Sequence, residues 1–165
     1  MNKMLFLLCP TDCLEPIVND AFEEEHFFYT SIGNSFSYDF ETLIYLKDLI
    51  IENRIKEIQF IISEDNKIML DALGKQSFSN IRGLKVFYKE VMRQKENSDA
   101  LWQDHSHQFS VLSYYLNHMI KKLQSQLSCF GINQISIEGK VYDRQEAVFN
   151  KIYPDLLCLE KHYLN

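Results

Sequence analysis

Glycine and proline are scarce in this chain: five Gly and three Pro in 165 residues leave no room for a low-complexity segment or a linker. Together with the absence of internal repeats, this points to one domain over residues 1–165. Folding a chain of that length buries roughly 70% of its unfolded surface, so no staple is needed. Cysteine is sparse too. Cys9, Cys13, Cys129 and Cys158 make no disulfide framework, and without a secretory leader they fit a reducing compartment, so a cytoplasmic location is expected. Long apolar runs are also missing. The opening MNKMLFLLC has the order of a lipoprotein signal, but Met4 to Leu8 is shorter than a signal core and bulky Leu8 precedes Cys9. Nothing else approaches membrane-spanning length. Finally, positive charge is not in excess: 17 Lys and Arg against 23 Asp and Glu give a formal net charge of -6 with the signs interspersed. The electrostatic pull toward nucleic acid or an anionic membrane is therefore absent, and neither is an expected partner.

What is present is a rhythm of short apolar runs alternating with helical periodicity, the pattern of helices crossing over a mostly parallel sheet. Met4 to Cys9 is a strand covered on both faces. Leu14, Ile17, Val18, Ala21 and Phe22 then share a helical face, with Pro16 in the first turn. His26 to Ile32 is a second strand, ended by Gly33 and Asn34, the residue types most tolerant of positive φ. Ser37 or Asp39 can cap the helix that carries Phe40, Leu43, Ile44 and Leu46. Ile58 to Ile62 is a third strand, and Asp65 or Asn66 can cap a short helix ending at Gly74.

A looser helix uses Leu84, Phe87, Tyr88, Val91 and Met92 and precedes a polar stretch, Arg93 to Asp99. Phe109, Leu112, Leu116, Met119, Ile120, Leu123 and Leu127 then hold helical spacing over about five turns, closed by Gly131. Ile132 to Gly139 reads as a fourth strand. Lys140 to Tyr153 is ambiguous between an edge strand and a helix, and Pro154 to Asn165 reads as a docking helical turn or two. The expected fold is α/β, with a mostly parallel central sheet of about four to five strands flanked by helices.

The punctuation of these elements resembles that of the β-class carbonic anhydrases. Cys9 with Pro16 seven residues later, TSIGN at Thr30 to Asn34, the stretch Ile55 to Leu73, and IEGKVYDRQEAVFNKI at Ile137 to Ile152 follow the family's order over almost the whole chain. The family's first strand ends in Cys-x-Asp-x-Arg, its second in Arg-Asn-x-Gly-Asn and its third in His-x-x-Cys, and a late strand leads into a Gly-x-x-Tyr-Asp turn. Cys9, Pro16, Gly33, Asn34, Gly139, Tyr142 and Asp143 match; the helical arm that usually precedes the first strand is absent. The resemblance implies a carbonic-anhydrase-like α/β fold and a homodimer.

The same correspondence removes the chemistry. Family enzymes bind zinc through two cysteines and a histidine, which makes a bound water acidic enough to attack CO2. Here only Cys9 stands at a ligand position, while Ser63 and Asn66 replace His-x-x-Cys. The family's Asp and Arg fall at Thr11 and Cys13, and its Arg before the second glycine motif falls at Thr30. The expectation is a degenerate pocket with no cofactor and no catalytic residue. Its ligand-binding candidates are Cys9, Thr11, Cys13, Gly33, Asn34, Ser63 and Asn66, serving a small polar ligand or a protein partner.

Each feature also has a structural reading. Cys9 and Cys13 fit a strand end and a turn, because their spacing is one residue longer than a Cys-x-x-Cys redox pair. SEDNK at Ser63 to Lys67 fits a capped helix start, and Glu23 to Glu25 a solvated helix end. The Gly33 turn can offer N–H groups to an anion, but lacks a neighbouring cation. The aromatic residues read as core, with a self-association surface as the alternative. Two other functions stay open. Cys9 or Cys13 can act as a nucleophile assisted by Asp12 or Glu64, and a metal site rearranged around Cys13, His105 or His107 is conceivable. A flavodoxin-like domain shares the same rhythm.

Overall fold

The computed structural model describes residues 3–81, 83–99 and 107–154. Five strands form one sheet in the order β2-β1-β3-β4-β5. They are β1 (Lys3–Leu8), β2 (His26–Thr30), β3 (Ile55–Ser63), β4 (Ser136–Asp143) and β5 (Val148–Lys151). The first four are parallel neighbours, and β5 returns antiparallel beside β4 as an edge hairpin. A flavodoxin-like sheet shares this order, but here no helix crosses between β4 and β5.

The continuous apolar run of β1 is explained by burial on both sides. Leu5 and Leu7 enter the larger core with Ile58, Phe60 and Ile62 of β3. Met4, Phe6 and Leu8 point to the opposite face, where Leu14 and Val18 cover them together with Ile61 and Tyr142. Helix α1 (Glu15–Ala21) therefore serves one face, and α2 (Phe40–Asn53), α4 (Leu84–Asp99) and α5 (His107–Cys129) serve the other. The short α3 (Lys67–Leu73) directly follows β3.

Local chemistry sets several boundaries where the residues suggest them. Asp39 caps α2 by accepting from Thr42 N at 2.9 Å, and Asn66 caps α3 by accepting from Met69 N at 2.8 Å. Tyr114 and Tyr115 are buried, while Phe27, Phe28 and Tyr29 on β2 are half-buried. Four expectations need correction. The polar stretch Arg93 to Asp99 continues α4, because Arg, Gln, Lys and Glu are good helix formers and Gln94 and Ser98 face inward. The fourth strand begins at Ser136 rather than Ile132, where pairing with Glu57 starts. The Gly-x-x-Tyr-Asp stretch is thus strand up to Asp143, with Gly139 beside Phe60 and Tyr142 beside Ser63. Glu23 to Glu25 lie just beyond the end of α1 rather than closing it, exposed to solvent, and Glu25 pairs with Lys3 at 2.8 Å. Of the final stretch from Pro154, only Pro154 belongs to the described residues; the expected docking turn lies outside them.

Two glycines sit where a side chain has no room. At Gly33, with φ of 63°, a Cβ would stand 2.4 Å from the Phe87 ring. At Gly139 it would meet the Cδ1 of Ile152 at 2.7 Å, the movable end of a flexible side chain. Gly33→Ala combines backbone strain with overpacking and is expected to cost roughly 2–4 kcal/mol. Gly139→Ala, which crowds only the movable Cδ1 methyls of Ile152 and Ile120, should cost about 1 kcal/mol. Urea denaturation of the two variants checks the ranking, and equal losses would contradict it.

Candidate functional site

The carboxyl ends of β1 and β3 carry most of the residues singled out in the sequence. The reason is the register. β1 stops at Leu8 opposite Ile61, but β3 runs two residues further to Ser63. On the side where β1 has ended, backbone groups of β3 need other partners, since buried amides and carbonyls are rarely left unpaired. Side chains supply them: Asn34 Nδ2 donates to Ile61 O at 2.7 Å, and Asp12 Oδ2 accepts from Ser63 N at 2.8 Å.

Cys9 is fully buried directly after β1. Its Sγ lies 3.0 Å from Thr11 Oγ1 and accepts from Gly33 N at 3.1 Å. A 3-10 turn over Pro10–Asp12 then turns Asp12 inward and leaves Cys13 exposed, with φ of 50° and its thiol 3.7 Å from Pro10 O. Gly33 and Asn34 both take positive φ, as their residue types suggest. The amides of Asn34 and Ser35 close back on Ser31 O and Ile32 O. With Gly33 N on Cys9, this turn keeps its N–H groups for the protein.

Asn66 joins the two strand ends. Its Oδ1 caps α3, and its Nδ2 donates to Asp12 Oδ1 at 2.7 Å and approaches Thr11 Oγ1 at 3.4 Å. Ser63 Oγ donates to Asp65. Arg144, in the turn between β4 and β5, donates through Nε to Asp65 Oδ1 at 3.0 Å and through Nη2 to the backbone oxygen of Asp12. The candidates Cys9, Thr11, Gly33, Asn34, Ser63 and Asn66 are therefore brought together, and Cys13 stands at the rim.

Two members of the cluster are not legible in the sequence. Asp12 reads there only as an assistant to a cysteine, yet it is the hub. Arg144 sits 132 residues further along the chain, with no spacing signal to connect it. Glu64 borders, with Asp65, Gln108, Asp143 and Arg144, a cleft of about 380 Å³ beside the cluster. Its backbone bonds to Tyr142 O and to the Gln108 side chain. His105 lies outside the described residues, and His107 opens α5.

Among the described residues, no group of three His, Cys, Asp or Glu is placed to hold a metal ion. The donors at the strand ends are one thiol, hydroxyls, a carboxamide bonded on both sides and the Asp12 carboxylate, whose two oxygens accept from Ser63 N and Asn66 Nδ2; with a single thiol and no imidazole this is a poor set for zinc, which takes thiolate, imidazole and carboxylate.

By sequence, the chain matches no family model and no curated protein. By structure, it is similar to the β-carbonic anhydrase CafD of the filamentous fungus Aspergillus fumigatus (wild type) at 16% identity, with 93% of this chain and 90% of that one aligned and a TM-score of 0.70. A Coccomyxa β-carbonic anhydrase in complex with acetazolamide gives 14% identity, 92% of this chain against 72% of that one, and a TM-score of 0.70. A tetrameric β-carbonic anhydrase from Sordaria macrospora gives 16% identity, 92% against 80%, and a TM-score of 0.68. The fold of this chain is thus that of the β-carbonic anhydrases, as the order of its motifs suggests. No helix among the described residues is long and apolar enough to cross a membrane.

Burial pushes the Asp12 carboxyl up to about 6, against the downward pull of Ser63 N, the Asn66 amide and Arg144. Asp65, largely exposed, feels some burial too, but its bonds from Ser63 and Arg144 outweigh this and hold it below the usual range. The folded chain keeps the Asp12 proton up to about pH 6, whereas the unfolded chain releases it near 3.8. Folding takes up a proton in that window, so this group's contribution to stability falls as pH rises through it, by roughly 3 kcal/mol in all. An Asp12→Asn variant does not titrate. Its stability relative to the native chain should therefore improve by about 2–3 kcal/mol between pH 4 and pH 7.5. Urea denaturation of both proteins at both pH values measures this. A gap that does not change with pH would show that Asp12 titrates normally.

Proposed function

We propose that this chain is a carbonic-anhydrase-like protein that has lost the zinc site and works as a single-domain binding or regulatory module instead of hydrating CO2. The observation that carries the reading is the state of Asn66. At a position where the family resemblance places a zinc-binding cysteine, a carboxamide spends its oxygen on the α3 cap and its nitrogen on Asp12. Ser63, in the place of the histidine, is bound to Asp65 and Asp12. With Cys9 as the single retained ligand, one thiolate does not hold a tetrahedral ion.

Cysteine-based catalysis has less support. Cys9 is buried between Gly33 N and Thr11, and Cys13 contacts a backbone oxygen; neither thiol has a histidine bonded to it among the described residues. The ligand candidates remain the polar groups at the strand ends, now with Arg144. Assembly as a homodimer and a cytoplasmic location belong to the same reading. The tetrameric state of the Sordaria protein is in keeping with self-association.

Elemental mass spectrometry on protein purified without chelator or affinity metal, with CO2 hydration measured on the same sample, tests this directly. Near-zero zinc and no hydration above background are expected. Ser63→His together with Asn66→Cys should raise zinc toward one equivalent, and adding Cys9→Ser should remove it again. Stoichiometric zinc in the native protein, lost on Cys9→Ser alone, would overturn the proposal.

A further inference from the structure

The core is thinnest at one place. Of the buried apolar residues described, Ile120, Ile137 and Ile152 keep the most exposure, at 8%, 8% and 9%. All three line one cleft of about 380 Å³ between α5 and the β4–β5 hairpin, together with Gly139, Asn117 and Pro154. Gly139 sets its floor. With no side chain there, the Cδ1 atoms of Ile152 and Ile120 close to 2.7 and 3.2 Å from where a Cβ would stand.

The chain arrives at this cleft already fixed in place. Asn117 Nδ2 donates to Tyr153 O at 2.7 Å and to Ser113 O at 2.8 Å, and Tyr153 N donates to Ser113 Oγ at 3.4 Å. The Tyr153 ring packs against Phe109 with centroids 5.1 Å apart. The next residue, Pro154, belongs to the cleft wall. Residues 155–165 then read DLLCLEKHYLN, with Leu156, Leu157 and Leu159 directly after the acid that follows Pro154. Three leucines so close together are apolar surface that gains by leaving water. The apolar surface still open where the chain leaves Tyr153 is that of Ile120, Ile137 and Ile152.

We propose that the segment Asp155 to Asn165 docks in this cleft and covers its isoleucine wall with Leu156, Leu157 and Leu159. The cleft is then an interaction surface whose partner is a segment of the same chain. Because Pro154 already stands in the wall, no linker has to be crossed, and the segment is held there at the high effective concentration of a short tether. A separate apolar peptide would pay the loss of translational freedom that the tethered segment does not. The surface lies beside Gly139 along β4, so it is separate from the strand-end cluster and does not depend on whether zinc binds there.

Disulfide trapping on the full chain tests the proposal. The background is Cys13→Ser with Cys129→Ser, which removes the two exposed thiols. Lys121→Cys or Gln124→Cys, at lining positions of the cleft, should then join native Cys158 under mild oxidation. The product should run as a monomer without reductant, with the bond located by peptide mass mapping. Glu52→Cys, exposed on α2, is the control and should not join Cys158. Leu156→Ser, Leu157→Ser and Leu159→Ser combined should slow trapping at least about tenfold and lower Tm by roughly 5 °C. Trapping no faster at the cleft than at the control, or a triple variant with unchanged trapping and Tm, would overturn the proposal. A disulfide-linked dimer as the main product would overturn it too, by assigning the cleft to a second copy.

Discussion

The hydrogen bond from Ser63 N to the buried carboxylate of Asp12 is the constraint around which this end of the molecule is organised. It exists because β1 is shorter than β3. A parallel sheet whose inner strand stops early leaves backbone groups of its neighbour facing a gap, and water has no easy access there. Asp12 fills the gap from the turn after β1, and Asn34 does the same from the turn after β2. Two loops are thereby tied to one strand end, and Arg144 adds a third by bonding to Asp12 O and Asp65. A carboxylate taken out of water is costly unless its oxygens are hydrogen-bonded. Asp12 has that compensation in Ser63 N and Asn66, yet burial still wins over it, which is why its proton is held so high.

The same bonds decide what the site can offer. A metal centre needs several strong donors left uncommitted until the ion arrives. Here the amide of Asn66, the hydroxyl of Ser63 and the thiol of Cys9 are each committed to neighbouring protein groups. The fold of the β-carbonic anhydrases is kept while the polar groups at its strand ends serve its own cohesion. Stability of a scaffold and chemistry at its strand ends are separable, and here a network of neutral and singly charged side chains organises those ends.

What could be read from the residues alone is what depends on near neighbours in the chain. Asn66 and Asp39 as helix caps, Gly33 and Asn34 at positive φ, and the two-sided burial of β1 are all decided within a few residues. The early start of the fourth-strand prediction and the missed length of α4 are of another kind. Ile132 to Ile135 are β-branched or polar enough to pass for a strand, but β3 offers pairing only from Glu57. Arg93 to Asp99 look like a loop by polarity, but Gln94 and Ser98 turn inward on a helix that its neighbours support. The Asp12 and Arg144 contact was invisible for the same reason. It joins a turn near the start to a hairpin near the end, and the motif that led to Thr11 and Cys13 as the altered positions passed over the acid between them.

The strand-end cluster and the buried rings of α4 and α5 are physically continuous. Tyr115, which packs against Phe87, donates its hydroxyl to Gly33 O at 2.7 Å, and the amide of Gly33 donates to Cys9. Gly33 has no space to move toward Phe87, since even a methyl group there would lie inside the ring's contact distance. A shift of the Phe87 or Tyr115 ring would therefore bear on the turn that holds the Cys9 thiol, across a chain of direct contacts. In a protein whose strand ends are closed by their own hydrogen bonds, that chain of contacts ties the packing of α4 and α5 to the turn that holds the cluster.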